Sequence, residues 1–522
     1  NNTFGVFHSG DTQNGSAAEL NLLGQTGNSA TGTDPQLGEL LRTATGDVYL
    51  IDPRPQASSP LLGDTVTTVP AGLVQTSYRG AFDGTTNWAE GWTYMDAKGY
   101  FDPADRTPAL APAARADVAV VADITTDTVW TNDSNYLLAD VITVKPGATL
   151  TIEPGTRVYG YEDLIEGTFG SLLVARGAKI SILGTVLDPV IFTAAEEGEV
   201  EVGRDLNGDS TVNTTPLDPV TDGGLWGGLL VLGSAPINWY DGAGSVGETS
   251  VEGFPAGSSS DILYGGSDAG DCSGTIRYCS IQFGGYEFAL DEEINGLTLG
   301  GVGSGTDISY VEVVANTDDG IEFFGGTVDT DHVVLFNNQD ESFDLDQGHQ
   351  GEHQFIFAVQ SSKSDNAVEA DGGDGTNSPD KTGTPLTLAK TYNATFIGGS
   401  CFSDKGSGND GFRLKDNFAG QFHNSAFHDF GGHAIRIDDG ITEAQVGGNL
   451  LFNNNTFGVF HSGDTQNGSA AELNLLGQTG NTATGADLNL NELVRDVSGE
   501  VIAINPRPAA GSSLLSGTTT PV

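Results

Sequence analysis

Residues 318–322 read Asp-Asp-Gly-Ile-Glu, and their pattern keeps returning. It recurs as Asp340-Glu341-Ser342-Phe343-Asp344, as Asp365-Asn366-Ala367-Val368-Glu369 and as Asn409-Asp410-Gly411-Phe412-Arg413. Gly432-His433-Ala434-Ile435-Arg436 continues it. The charged position runs Glu322, Asp344, Glu369, Arg413, Arg436, at intervals of 22, 25, 44 and 23 residues. The interval of 44 reads as two coils, with an insertion at 371–384. An apolar residue always precedes the charge. Adjacent residues therefore face opposite sides, as on a strand, and equivalent strands return about once every 23 residues.

A parallel β-helix accounts for both periods. Successive coils stack about 4.8 Å apart, one row of side chains points into a dry core, and the alternate row faces outward. Upstream, short β-branched runs alternate with Gly, Asn and Asp: Val141–Val144, Thr149–Ile152, Ser171–Val174, Lys179–Ile182 and Val190–Phe192. Helical periodicity is absent there. The expected fold is therefore all-β: a right-handed parallel β-helix of twelve to fifteen coils, a rod of roughly 60–70 Å. Short helices are expected at Ala17–Leu23, at Leu37–Arg42 and at their copies near the other end. Asn87–Tyr100, rich in aromatics, reads as a closing cap.

The run VITVKPGATLTIEPGTRV at 141–158 resembles the opening coils of a family of bacterial secreted and surface-anchored right-handed β-helix proteins. Trp226–Asn238, Glu293–Gly305 and Asp319–Thr327 are similar to further passages of that family. Asp52-Pro53-Arg54-Pro55 and the Asn87–Tyr100 segment resemble its C-terminal end. The resemblance implies the fold and an extracellular or cell-surface setting; it implies no particular activity. The chain departs from the family order by placing a C-terminal segment ahead of an N-terminal one.

That departure has a plain source. Residues 1–28 are repeated letter for letter at 454–481, an offset of 453, and diverged similarity continues to the last residues of the sequence. The expected organisation is a coil and cap segment at 1–102, a Pro/Ala linker at 103–116, a β-helix body at 117–453 and a second copy of 1–69 at 454–522. Head-to-tail repetition of a stackable unit is a route to an open filament. The expected partner is thus another copy of the chain.

The composition narrows the function classes. Seventy acidic against 21 basic residues leave a formal charge of −49. Generic binding to nucleic acid or insertion into anionic membranes is not expected, since both need a Lys/Arg excess. No apolar run is long enough for a membrane-spanning helix. The 74 glycines follow no collagen period and fit turns between short strands. Of three cysteines, Cys272 and Cys279 are placed to pair locally or to remain buried thiols.

Two constellations point to calcium. Asp205, Asn207, Asp209, Thr211 and Asn213 alternate around Gly208, as in loops that converge carboxylate and amide oxygens on a hard cation. Pro216 stands where a closing acid belongs, and Asp218 lies two residues on. The alternative reading is an ordinary Asx-rich turn. The second is the ladder of Asp319, Glu322, Asp344 and Glu369. Equivalent side chains on adjacent coils sit about 5 Å apart, and like charges at that distance repel by about 3 kcal/mol at an effective dielectric of 20. Calcium, protonation, or Arg413 and Arg436 in the same row would offset the repulsion. Solvated turn acids are the competing explanation.

Paired acids also suit polysaccharide cleavage, but a lyase for acidic sugars needs cations, and Arg413, Lys415 and Arg436 are the only evident cluster. An exposed stripe of Trp88, Trp92 and Trp239 would favour carbohydrate binding. His349-Gln350-Gly351-Glu352-His353 has the letters of a zinc motif that requires a helix. Gly351 and strand-like neighbours make it a chance match. His423, His428 and His433 are expected in turns or on the surface. The resulting expectation is a structural, non-enzymatic protein of an extracellular filament, sheath or surface fibre. An adhesin or a polysaccharide lyase or glycoside hydrolase is the alternative.

Overall fold

The computed structural model describes residues 41–42, 48–50, 68–83, 86–101, 115–163, 168–239, 247–252, 254, 259–287, 294–373, 381–399, 404–405, 408–458, 460, 469–483, 490–495 and 501–508. Parallel strands stack into three faces. Face one is a ladder of nine strands: Val141–Val144, Ser171–Val174, Leu229–Leu232, Leu297–Gly300, Ile321–Phe324, Phe343–Asp346, Val368–Asp371, Phe412–Lys415 and Arg436–Ile437. The other two faces form one continuous sheet, because the long strands Gly274–Gln282, Asp307–Val314, Thr330–Phe336 and Glu352–Val359 each bend from face two into face three. The chain is therefore an all-β parallel β-helix, as the two periods require.

The bends recur at one register position. Tyr278, Tyr310, His332, Phe355, Asn393, Asn424 and Asn454 all have φ between 47° and 60°. The left-handed region turns the strand without a loop; Asn tolerates it, whereas an aromatic residue needs compensating contacts. Those contacts come from stacking. Ring centroids lie 4.4 Å apart from Tyr278 to Tyr310, 4.3 Å from Tyr310 to His332 and 4.7 Å from His332 to Phe355.

The core follows from the alternation. Inward on face one, Ile142, Leu172, Leu229, Leu297, Ile321, Phe343, Val368 and Phe412 are in register, each buried against its neighbour above and below. The interval of 44 residues is a single coil, not two: Glu369 pairs directly with Arg413. Insertions lengthen that coil without breaking the ladder, because the strands on each side keep register. The stack also continues past residue 453. Thr456–Phe457 pairs with Ala426–His428, and Thr482–Ala483 follows.

The helices differ from expectation in an instructive way. Ala470–Leu476 is a helix, closed by a capping box between Ser469 and Glu472. Its twin Ala17–Leu23 lies outside the described residues. Leu490–Arg495, the copy of Leu37–Arg42, is a strand, and so is Leu41–Arg42. Each pairs with a following strand, so hairpin contacts override weak helical propensity. Ala195–Val202 is a helix with no side-chain cap, and its buried Glu197 and Glu199 hide it from an apolar-period reading. Cys272 is exposed and Cys279 buried, both as free thiols.

The aromatic segment expected as an end cap runs along the flank instead. Residues 68–83 and 86–101 form a strap over the bends. Trp92 meets Tyr278 and Tyr310 edge-on at 5.7 and 6.2 Å, Trp88 meets His332 at 5.0 Å, and Phe82 meets Phe357 at 5.0 Å. Polar latches fix its register. Gln354 donates to the Val74 carbonyl and accepts from its N–H, and Gly80 donates to the Asn424 carbonyl. Buried Glu312 accepts from Ser280 Oγ and from the N–H groups of Tyr94 and Met95. Burial pushes its carboxyl up to about 7 against those bonds.

Candidate functional site

The outward row of face one changes character coil by coil. It runs Thr143, Leu173, Leu230, Thr298, Glu322, Asp344, Glu369, Arg413, Arg436. Leu173 and Leu230 lie in an apolar cluster under Ile237, Val251, Ile262 and Tyr264, from the long connection after Leu229–Leu232. Past Thr298 the row is charged, yet Glu322, Asp344 and Glu369 are only 7–8% exposed. A second outward row, two residues on, carries Asp346, Asp371 and Lys415.

Cations hold the far end. Arg413 reaches Glu369 at 2.8 Å and Asp438 at 3.0 Å. Lys415 bonds Glu369 and lies 3.2 Å from Asp371, and Arg436 reaches Asp438 at 2.6 Å. Burial works against the Lys415 ammonium, but Asp371 and Glu369 outweigh it and hold its pKa above the ordinary lysine value. Lys415 and Arg413 are therefore charged clamps, unsuited to accept a proton as they stand.

At the near end Lys405 pairs with Asp365 at 3.8 Å, on the rim. Oxygens of Asp319, Glu322 and Asp344, all three buried, lie within 4.8 Å of one another. Two further groups flank them: Asp318, Asp319 and Asp340, and Asp340, Glu341 and Asp365. Burial comes first in raising the carboxyls of Asp319, Glu322, Glu341 and Asp344, and their acidic neighbours add to it. Asn295 donates to Glu322 Oε2 at 2.5 Å. Asn295 Oδ1 and Asp344 Oδ1 are buried with no hydrogen-bond partner. Thus Asp319, Glu322 and Asp344 come together as expected, while Glu369 is taken by the cations.

The other candidate loop closes on itself. Asp205 accepts from the N–H groups of Gly208 and Ser210, Asn207 from Asp209, and Asp209 from Thr211. Glu196 and Glu199 of the preceding helix anchor it, Glu199 by accepting from Leu206 and Asn213. Thr211 is exposed, and Asp218 lies apart, accepting from Val220. Sequence reasoning missed Glu196 and Glu199, whose helix has no apolar stripe to announce it.

His349 and His353 meet although no helix brings them there. Both are fully buried, with Nε2 atoms 3.0 Å apart. His349 Nδ1 donates to the Gly325 carbonyl, so its Nε2 accepts from His353. Burial holds His349 down to about 4, and the pair is a neutral core contact. Glu352, the acid of the motif, points away to Lys390. His423 and His428 are buried strand residues rather than turn or surface groups. Trp92 is buried and Trp88 and Trp239 are half-buried, so the tryptophans form no exposed stripe.

The sequence model of a family described as a pectate-lyase-like β-helix domain matches residues 122–492. No curated protein and no solved structure matches the chain.

Proposed function

The chain belongs to the pectate-lyase-like β-helix family, and from that premise we propose that it is a structural protein of an extracellular filament, sheath or surface fibre, assembled head to tail from its own units. One observation carries the reading. The described residues of 454–481 are part of the stack, and the same 28 letters stand at 1–28. Phe457 stacks on Phe427 at 5.5 Å, Phe460 on Phe430 at 5.5 Å, and Glu472 accepts from Ile437. Each of these residues has its twin in Phe4, Phe7 and Glu19. One body has one seat for that coil, so the second copy is suited to finish another body. Electron microscopy of native material tests this: an axial repeat is expected, and dispersed single particles would overturn it.

Calcium is the proposed cofactor, held by Asp319, Glu322 and Asp344. The donor set is all oxygen, which suits a hard cation, and the orphaned oxygens of Asp344 and Asn295 fit its demand for many ligands. Its role there is to replace repulsion between coils with shared coordination. Melting with and without chelator tests it, with a lower midpoint expected in chelator; Asp344→Asn should erase the difference.

A polysaccharide lyase or hydrolase is the second reading, favoured by Arg413, Lys415 and Arg436 beside the acids. It requires the cations to leave their carboxylates for a sugar. Release of unsaturated or reducing ends from acidic polysaccharide, lost on Arg436→Ala, would support it over the structural reading.

A further inference from the structure

The two copies of the repeated sequence share a second element. Leu41–Arg42 and Val48–Leu50 form an antiparallel hairpin, pairing Leu41 with Leu50 and Arg42 with Val48. Leu490–Arg495 and Val501–Pro508 form another, pairing Val494 with Ala503 and Arg495 with Val501. Removing the 453-residue offset turns the second set of pairs into the first. The register irregularity between Leu41 and Arg42 returns between Val494 and Arg495. The letters have diverged here, so a shared register reports a shared fold rather than an identical sequence. The twins also lie side by side: Val48–Leu50 comes within 8 Å of Val501–Pro508, Cα to Cα.

A lone two-stranded hairpin is marginal in water, and its edges offer unpaired N–H and C=O groups. A second hairpin packed beside it relieves the first problem, although the two remain separate two-stranded sheets. A contact between two segments of one chain can form between two chains without new chemistry, as in segment exchange. We infer that this hairpin pair is the grip between copies: the hairpin at 41–50 of one copy lies against the hairpin at 490–508 of the next. The inference rests on the head-to-tail reading and names its joint. The two hairpins are not the same surface, so a single junction leaves one of each kind free for a further copy, and the assembly stays open unless two copies exchange both hairpins and close. The formal charge of −49 opposes the approach of two copies, so salt strengthens the grip.

Light scattering on the full chain tests it, across a wide range of concentration and salt. Val48→Pro and Ala503→Pro each remove a backbone donor from one hairpin. The wild type is expected to gain mass with concentration, and more so in salt. Each variant alone should stay at monomer mass, and Val48→Pro, ahead of strap and body, should keep the wild-type melting temperature. An equal mixture retains one good junction and should stop at twice the monomer mass. If Val48→Pro associates like the wild type, the joint is elsewhere and the inference falls while the assembly reading stands. If the wild type remains monomeric throughout, both fall.

Discussion

Two ladders run up this molecule at the same spacing, and they have opposite energetics. On the flank, Tyr278, Tyr310, His332 and Phe355 stack ring on ring under the strap. On face one, Glu322, Asp344 and Glu369 stack charge on charge. A coil spacing of about 4.8 Å suits aromatic contact and amplifies like-charge repulsion. The flank therefore stabilises itself even in a strained backbone conformation. The acids need something other than one another: Arg413 and Lys415 at one end, and at the other a proton or a cation.

The comparison can be broken at its stronger side first. Trp92→Ala removes a buried ring that closes the flank over Tyr278 and Tyr310, and should cost about 3–5 kcal/mol in urea unfolding. Limited proteolysis should then cut within the strap before the body.

Lys415→Met tests the weaker side. It leaves Glu369 and Asp371 short of a partner in a mostly buried setting, and should cost about 3 kcal/mol at pH 8. The loss should shrink at pH 5, because burial raises the Asp371 carboxyl and favours its neutral form there.

Titration sharpens the same contrast. Carboxyls raised on folding bind protons more tightly in the native state, so stability is greatest at or below the ordinary carboxyl pKa and falls as pH rises through the raised values. Glu312 shifts from 4.5 to about 7, which alone removes about 3 kcal/mol between pH 4.5 and 8. Asp319, Glu322, Glu341 and Asp344 act in the same direction. Without calcium the melting temperature should fall steadily from pH 5 to 8, and calcium should flatten the slope. A rising curve would contradict both the burial and the sign.

The smallest effect belongs to the loop after the helix at Ala195–Val202. Asp205→Ala loses two backbone acceptances in an exposed turn and should cost about 1 kcal/mol, with no change in calcium response. Loss of the calcium response in Asp205→Ala with its retention in Asp344→Asn would move the cation to the loop.

Much of this was legible before folding. Alternation between Ile321 and Glu322, and its return at Phe343 and Asp344, dictates strand, stack and register, because a strand has a period of two and a coil repeats its neighbours. The same register put Glu322 and Asp344 on adjacent coils. Two things were not legible. The 44-residue interval hid a single coil, since insertions leave no periodic trace. The bend positions were equally silent, because Tyr278, Tyr310, His332 and Phe355 share a backbone angle and not a residue type.

Order along the chain is thus enough to specify the β-helix, the identity of its rows and the repetition of residues 1–28 at 454–481. Which acids gain a cation, why His349 and His353 touch and where the aromatic strap goes emerge only on folding. Those depend on what lies across the chain: Glu369 is neutralised by residues 44 and 46 positions away, and Trp92 finds Tyr278 after 186. Burial, the largest cause of the upward shifts of Glu312, Asp319, Glu322, Glu341 and Asp344, exists only once those distant pieces have met.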